Sequence, residues 1–203
     1  TNIMSGRRPI AGAQSNVTPK ERGFAPEATR IYAIGDIHGR ADLLRELHSK
    51  IRADADGQPL YRKIIVYLGD FVDRGKDSKE VVDILIDEPL ADAGFETKCL
   101  LGNHERSMLN FLEDPMAGPN WVIYGGEATL LSYGVGHPRG NGMDDRWTLI
   151  RDRLFDGIPI DHLGFFKSLE PGHIEGGYLF FTPVFANYAR KLVTVISGGV
   201  FDL

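Results

Sequence analysis

Between Arg30 and Leu112 the apolar positions switch repeatedly between unbroken runs and a helical spacing. Ile31-Tyr32-Ala33-Ile34 is continuous and stops at Gly35, which predicts a buried strand. Leu43, Leu44, Leu47 and Ile51 then share one side of a helix. Ile64-Ile65-Val66-Tyr67-Leu68 predicts a second strand, ended by Gly69. A helix follows with Val81, Val82, Leu85 and Ile86 on its apolar side and Asp77 or Ser78 as its cap. Lys98-Cys99-Leu100-Leu101 predicts a third strand, ended by Gly102, and Met108, Leu109 and Leu112 a third helix. This alternation predicts an α/β fold with parallel strands and helical crossovers. Residues 114–177 read as mostly helical, with Gly134 ending a helix over Glu127–Tyr133 and Asp161 capping one that carries Leu163, Phe166 and Leu169. Strand-like runs return at Tyr178–Phe181 and Leu192–Ile196. Residues 1–29 show no period and read as a tail or an expression remnant, so the folded domain is placed over residues 30–203.

Composition narrows the partners more than the fold. The 203 residues are 42% hydrophobic and 25% charged, enough for one packed domain. A net charge of −5 disfavours a broad grip on nucleic acid or on an anionic membrane. No apolar run approaches the length of a membrane span, and the first residues lack the apolar core of a signal peptide. A single cysteine, Cys99, precludes an internal disulfide and reads as an inert buried thiol, so the expected location is cytoplasmic.

Three motifs sit where the three predicted strands end, the position at which open α/β sheets place their sites. In Gly35-Asp36-Ile37-His38-Gly39 the side chains at i and i+2 of extended chain face one way, so Asp36 and His38 make a mixed oxygen and nitrogen ligand pair. In Gly69-Asp70-Phe71-Val72-Asp73-Arg74-Gly75, Asp70 has two oxygens with which to bridge two cations, and Arg74 a rigid donor fork that suits phosphate. In Gly102-Asn103-His104-Glu105, Asn103 offers a neutral hard ligand and His104 stands ready to act on a substrate. Taken singly, each motif also reads as a turn, a solvated ion pair or a helix cap. All three together, in order and at three strand ends, read as a site.

GDIHG, GDFVDRG and GNHE resemble the signature of the phosphoprotein phosphatase branch of the calcineurin-like metallophosphoesterases, the bacterial serine/threonine phosphatases above all. The resemblance extends over Trp121 to Gly134, with GGEATLLSYG, and over IPIDHLGFFKSL, so it runs from about Ile31 to Phe181. It implies a four-layer α/β/β/α sandwich, with two central mixed sheets between outer helices. It also implies two divalent metal ions, manganese first, with iron and zinc as alternatives. Carried over by position, Asp36 and His38 bind the first metal, Asp70 bridges both and Asn103 binds the second. His104 is the general acid, Asp73 orients it and Arg74 holds the phosphate. The implied reaction is hydrolysis of phosphoserine and phosphothreonine, with phosphotyrosine as a variant, in a phosphoprotein or phosphopeptide by a metal-activated hydroxide.

The chain departs from that pattern after Phe181. The resemblance implies two further metal-binding histidines, in sequences like VHAG and GHTP, and a second phosphate-binding arginine. Here the run YLFF passes directly into Thr182-Pro183. The expectation is that a segment of a few dozen residues is missing between Phe181 and Thr182. His48, His137, His162 and His173 read as packing or surface residues rather than substitutes. Two alternatives stay open: a dinucleoside polyphosphate hydrolase, with Trp121 and Tyr124 stacking on a base, and an inactive phosphoprotein-binding scaffold if the chain is continuous there. Trp121 and Tyr124 otherwise read as core or cap packing. Glu105 reads either as a brace for Arg74 or as a plain helix-start carboxylate.

Overall fold

A computed structural model describes residues 25–56, 62–88, 90–136, 143–181 and 193–195. Strands β1 (Thr29–Ile34), β2 (Arg62–Tyr67) and β3 (Phe95–Cys99) pair in parallel, with Ile34 beside Tyr67 and Tyr67 beside Cys99. Helices α1 (Ala41–Asp56) and α2 (Ser78–Asp87) make the crossovers. Because the three strands end level with one another, the loops after them leave from one edge of the sheet. α3 (Asn103–Glu113) starts directly from the third loop. A short turn α4 (Gly118–Trp121), a π-helical turn (Val122–Gly126) and α5 (Glu127–Ser132) follow, then α6 (Met143–Gly157) and α7 (Ile160–Ser168). β4 (Gly172–Glu175) and β5 (Tyr178–Phe181) form a hairpin, and β6 (Val193–Val195) runs antiparallel beside β1. The sheet order is β3-β2-β1-β6.

β1 and β2 end in unbroken apolar runs, Ile31–Ile34 and Ile64–Tyr67, because both faces of the sheet are covered there, whereas β3 carries Glu96, Thr97 and Lys98 and is only partly buried beyond Phe95. Tyr32, Ile34, Ile65 and Tyr67 point into the main core with Leu44, Leu47 and Ile51 of α1 and Val81, Val82 and Leu85 of α2. Ile31, Ala33, Ile64 and Val66 face the other way and meet Leu100 and Phe180 of the hairpin. Each fully buried aliphatic side chain contributes roughly 1.5–3 kcal/mol. The expected α/β class, the parallel pairing and the two sheets are present; among the described residues the helices cover one outer face.

Several local expectations are corrected. β3 begins at Phe95 rather than Lys98, because Phe95 alone anchors its start in the core. His173 lies on β4, opposite Phe180, and not in a loop. Ser78 starts α2, but neither Asp77 nor Ser78 caps it through a side chain. α7 begins at Ile160 with Pro159 as its cap, and Asp161 instead accepts the amide of His162 (2.9 Å). Gly134 has φ of 77° just beyond α5, as its predicted stop requires. His137, Thr182 and therefore the expected break after Phe181 lie outside the described residues. Among the described residues no helix is long and apolar enough to cross a membrane.

Candidate active site

The first two loops are tied together through backbone, and the third is tied to the second through the side chains of Glu105, Asp70 and Asp73. The amide of His38 donates to the carbonyl of Asp70 (2.9 Å) and that of Gly39 to Phe71 (2.8 Å). A Cβ on Gly75 would collide with the carbonyl oxygens of His38 and Gly39, and one on Gly102 with the amide of Asp70 and the carboxylate of Glu105. Glycine at these two positions is a condition of the loops touching. Once they touch, five residues are held at positive φ without being glycine: Asp36 (52°), His38 (45°), Asp70 (56°), Asp73 (73°) and Arg74 (67°). Such conformations cost on the order of 1 kcal/mol or more each and persist only where the surroundings over-determine them. Apart from Ala28, the described non-glycine residues at positive φ are these five, all drawn from the motifs.

Glu105 explains much of that determination. It is fully buried, and its carboxylate accepts the amides of Asp70 (2.9 Å), Phe71 (2.7 Å) and Val72 (3.1 Å). It therefore braces the second loop and not Arg74. Burial and the charge of Asp70 push its carboxyl up to about 7, against the opposing pull of the three amides.

Asp73 and His104 form a buried pair, with Nδ1 of His104 2.7 Å from Oδ2 of Asp73. Nη2 of Arg74 stands 3.3 Å from Nε2 of His104. A guanidinium can only donate, so these contacts assign the proton of His104 to Nδ1 and the lone pair to Nε2. Burial disfavours charge on His104, but the hydrogen bond to Asp73 and the charges of Asp73 and Asp70 outweigh it and raise its pKa. The amide of Arg74 donates to the carbonyl of Gly125 (3.1 Å), which seats the arginine against the π-helical turn.

Asp36 and His38 are half-buried beside this pair. Burial and the charge of Asp70 raise the carboxyl of Asp36, and burial lowers the pKa of His38. The rings of His38 and His104 meet edge to face at 4.6 Å. His38 places Nδ1 3.0 Å from the carbonyl of Val72. Donating there leaves the Nε2 lone pair free, the arrangement of a metal-ligating imidazole. Crowded carboxylates, an imidazole so oriented and the Asn103 amide at the start of α3 suit a divalent cation in donor type. They do not form a closed cage. No group of three or more His, Cys, Asp and Glu side chains among the described residues is arranged to hold a metal ion, and Oδ1 of Asp70 already accepts the amide of His104 (3.2 Å).

The two aromatic candidates separate. Trp121 is buried and donates Nε1–H to Oδ2 of Asp73 (2.9 Å), so it lines no groove, while Tyr124 is 59% exposed. Thr129 and Ser78, which the motifs do not single out, contact Asp73 as well. The only sequence signal for Thr129 is its place in GGEATLLSYG. The remaining described histidines are structural. His48 bonds the hydroxyl of Tyr67 (2.7 Å), His162 joins Asp83 (2.9 Å) to Tyr133 (2.9 Å), and His173 lies 3.6 Å from Glu175. Burial pushes the thiol of Cys99 up to about 12, as an inert thiol requires.

The family profile of the calcineurin-like phosphoesterases matches residues 29–191. The serine/threonine-protein phosphatase rdgC of Drosophila melanogaster is 37% identical over 98 residues, 47% of this chain and 13% of that protein. An uncharacterized protein of Caenorhabditis elegans, F44B9.9, is 33% identical over 99 residues, 45% of this chain and 38% of its own length. The match thus spans well under half of either relative. A crystal structure of a metallophosphoesterase from Sphaerobacter thermophilus covers 75% of the chain and 46% of its own, with 18% identity and a TM-score of 0.36.

Proposed function

Because the chain belongs to the calcineurin-like phosphoesterase family, we propose that it is a metal-dependent phosphomonoesterase acting on phosphoserine and phosphothreonine in proteins. The observation that carries this reading is the buried Asp73–His104 pair with Arg74 at its open nitrogen. The likeness to a serine/threonine phosphatase over 98 residues supports the substrate class. Asp36, His38, Asp70 and Asn103 would hold the metal ions, manganese being the first expectation. Bound there, divalent ions supply a Lewis acid for the phosphoryl oxygens and a nucleophile at neutral pH. Arg74 binds phosphate oxygens through its donor fork and leaves the nitrogen of His104 as it does so. With Arg74 on the phosphate, Nε2 of His104 takes up a proton from solvent, as the partnership with Asp73 favours, and gives it to the departing alkoxide, while Asp73 holds Nδ1 and stabilises the charged ring.

The test is hydrolysis of 4-nitrophenyl phosphate and of a phosphoserine peptide by the full chain with added manganese. Turnover of both is expected. No turnover of either, with metal shown to be bound, would end the reading and leave a phosphoprotein-binding scaffold. The exposed ring of Tyr124, one residue from the carbonyl that seats Arg74, favours one second reading: hydrolysis of dinucleoside polyphosphates, with the ring stacked on a base. Faster turnover of diadenosine tetraphosphate than of the phosphopeptide at equal concentration selects it.

A further inference from the structure

We propose that Trp121 and Thr129 are positioning residues that clamp the carboxylate of Asp73 and thereby aim His104 at the leaving group. The proposal rests on the phosphomonoesterase reading for its catalytic consequence, but its structural content stands apart from it. Asp73 has no exposed surface, so each oxygen of its carboxylate needs a donor. Oδ2 receives Nδ1–H of His104 (2.7 Å) and Nε1–H of Trp121 (2.9 Å). Oδ1 receives the hydroxyl of Thr129 (2.7 Å). The amide of Asp73 donates back to the same Thr129 oxygen (2.8 Å) and to Oγ of Ser78 (3.1 Å).

Donor arithmetic makes this arrangement directional. A threonine hydroxyl has one proton and two lone pairs. The carboxylate is the strongest acceptor in reach, so that proton goes to Oδ1, and the oxygen is left to accept the Asp73 amide and the Ser78 hydroxyl 3.1 Å away. The indole offers a single donor and cannot swing. It packs against Phe111 at 5.3 Å, and a Cβ on Gly126 would overlap its rings. The plane of the carboxylate is thus held from both sides, and Oδ2 keeps facing Nδ1 of His104. That in turn keeps Nε2 at the mouth of the site beside Arg74. Trp121 and Thr129 lie on either side of the kink at Gly125, so two short helices joined there, α4 and α5, supply one clamp each.

The clamp is tested with Trp121→Phe, Thr129→Val and Thr129→Ser. In the metal-free protein the His104 Nδ1 proton is followed by proton NMR. Its downfield resonance is expected to move or broaden in Trp121→Phe and Thr129→Val and to stay in place in Thr129→Ser. In the manganese-loaded protein the first two variants are expected to lose about 10- to 100-fold in kcat on a phosphoserine peptide, with KM changed less than about threefold. The loss on 4-nitrophenyl phosphate is expected to be clearly smaller, because that leaving group departs without a proton. Equal losses on both substrates, or Thr129→Ser as damaged as Thr129→Val, would overturn the proposal. If Trp121→Phe does not fold, the two threonine variants decide alone. If the wild-type chain shows no phosphatase activity, the phosphomonoesterase reading fails, and an unchanged His104 resonance in Thr129→Val then sinks the clamp on its own evidence.

Discussion

At the scale of single residues, the site depends on charged groups that burial makes costly and fixed partners make tolerable. His104 and Arg74 touch through one nitrogen, so their removal separates into two kinetic effects. His104→Ala is expected to lower kcat about 100- to 1,000-fold on a phosphopeptide with KM little changed, measured by steady-state kinetics. Arg74→Lys is expected to raise KM roughly tenfold, since a point charge replaces the two-pronged donor. Glu105 belongs to the frame of the site. Its two oxygens serve three amides, and an amide side chain offers one acceptor where two are needed. Glu105→Gln is expected to cost about 1–3 kcal/mol in urea unfolding, because a donor group would then face backbone donors in a dry site.

At the scale of elements, the loops matter more than the strands that present them. Strands β1 to β3 set a level edge, but contact between the loops requires bare backbone at Gly75 and Gly102. Gly75→Ala is expected to destabilise the chain by about 2 kcal/mol or more, since the colliding atoms are backbone oxygens that cannot rotate away. Gly134→Ala makes a control: φ there is 77°, yet nothing lies within 4 Å of the added carbon. Its cost is expected to stay near 1 kcal/mol, the penalty for the left-handed conformation alone. Denaturant midpoints of the two variants measure the difference between steric conflict and backbone preference.

Across the whole molecule, the structural histidines tie helices to the sheet and to one another. His48 joins α1 to β2 through Tyr67, and His162 joins α7 to α2 and to Tyr133. Burial lowers the pKa of His48 from 6.5 to about 4. The unfolded chain therefore binds the proton first as the pH falls. The stabilisation is complete above pH 6.5 and is lost progressively as the pH falls toward 4, by up to ~3 kcal/mol in that window. His48→Gln is expected to flatten that part of the stability profile relative to wild type, measured as the difference in urea midpoint between pH 4 and 7. An identical slope in both proteins would remove His48 as the cause.

Local rules made the outline of the fold legible. A buried strand needs an apolar run and a helix an apolar stripe, and both are properties of neighbours along the chain. The three Gly-Asp and Gly-Asn motifs showed in the same way, because the end of each run places them at one edge of a parallel sheet. The roles of Trp121, Glu105, Thr129 and Ser78 were not legible. Trp121 and Tyr124 are three residues apart and equally aromatic, yet one is buried against Asp73 and the other is exposed. Which of them turns inward is decided by the kink at Gly125, whose φ is 112°, and by a carboxylate 48 positions earlier in the chain. Thr129 meets Asp73 across 56 positions, and Glu105 meets the second loop across 33 to 35. The sequence alone determined which residues could do chemistry and where each strand delivers them. The tertiary structure decided which neutral donors satisfy the buried charges, because desolvation creates that demand only after the chain has closed around them.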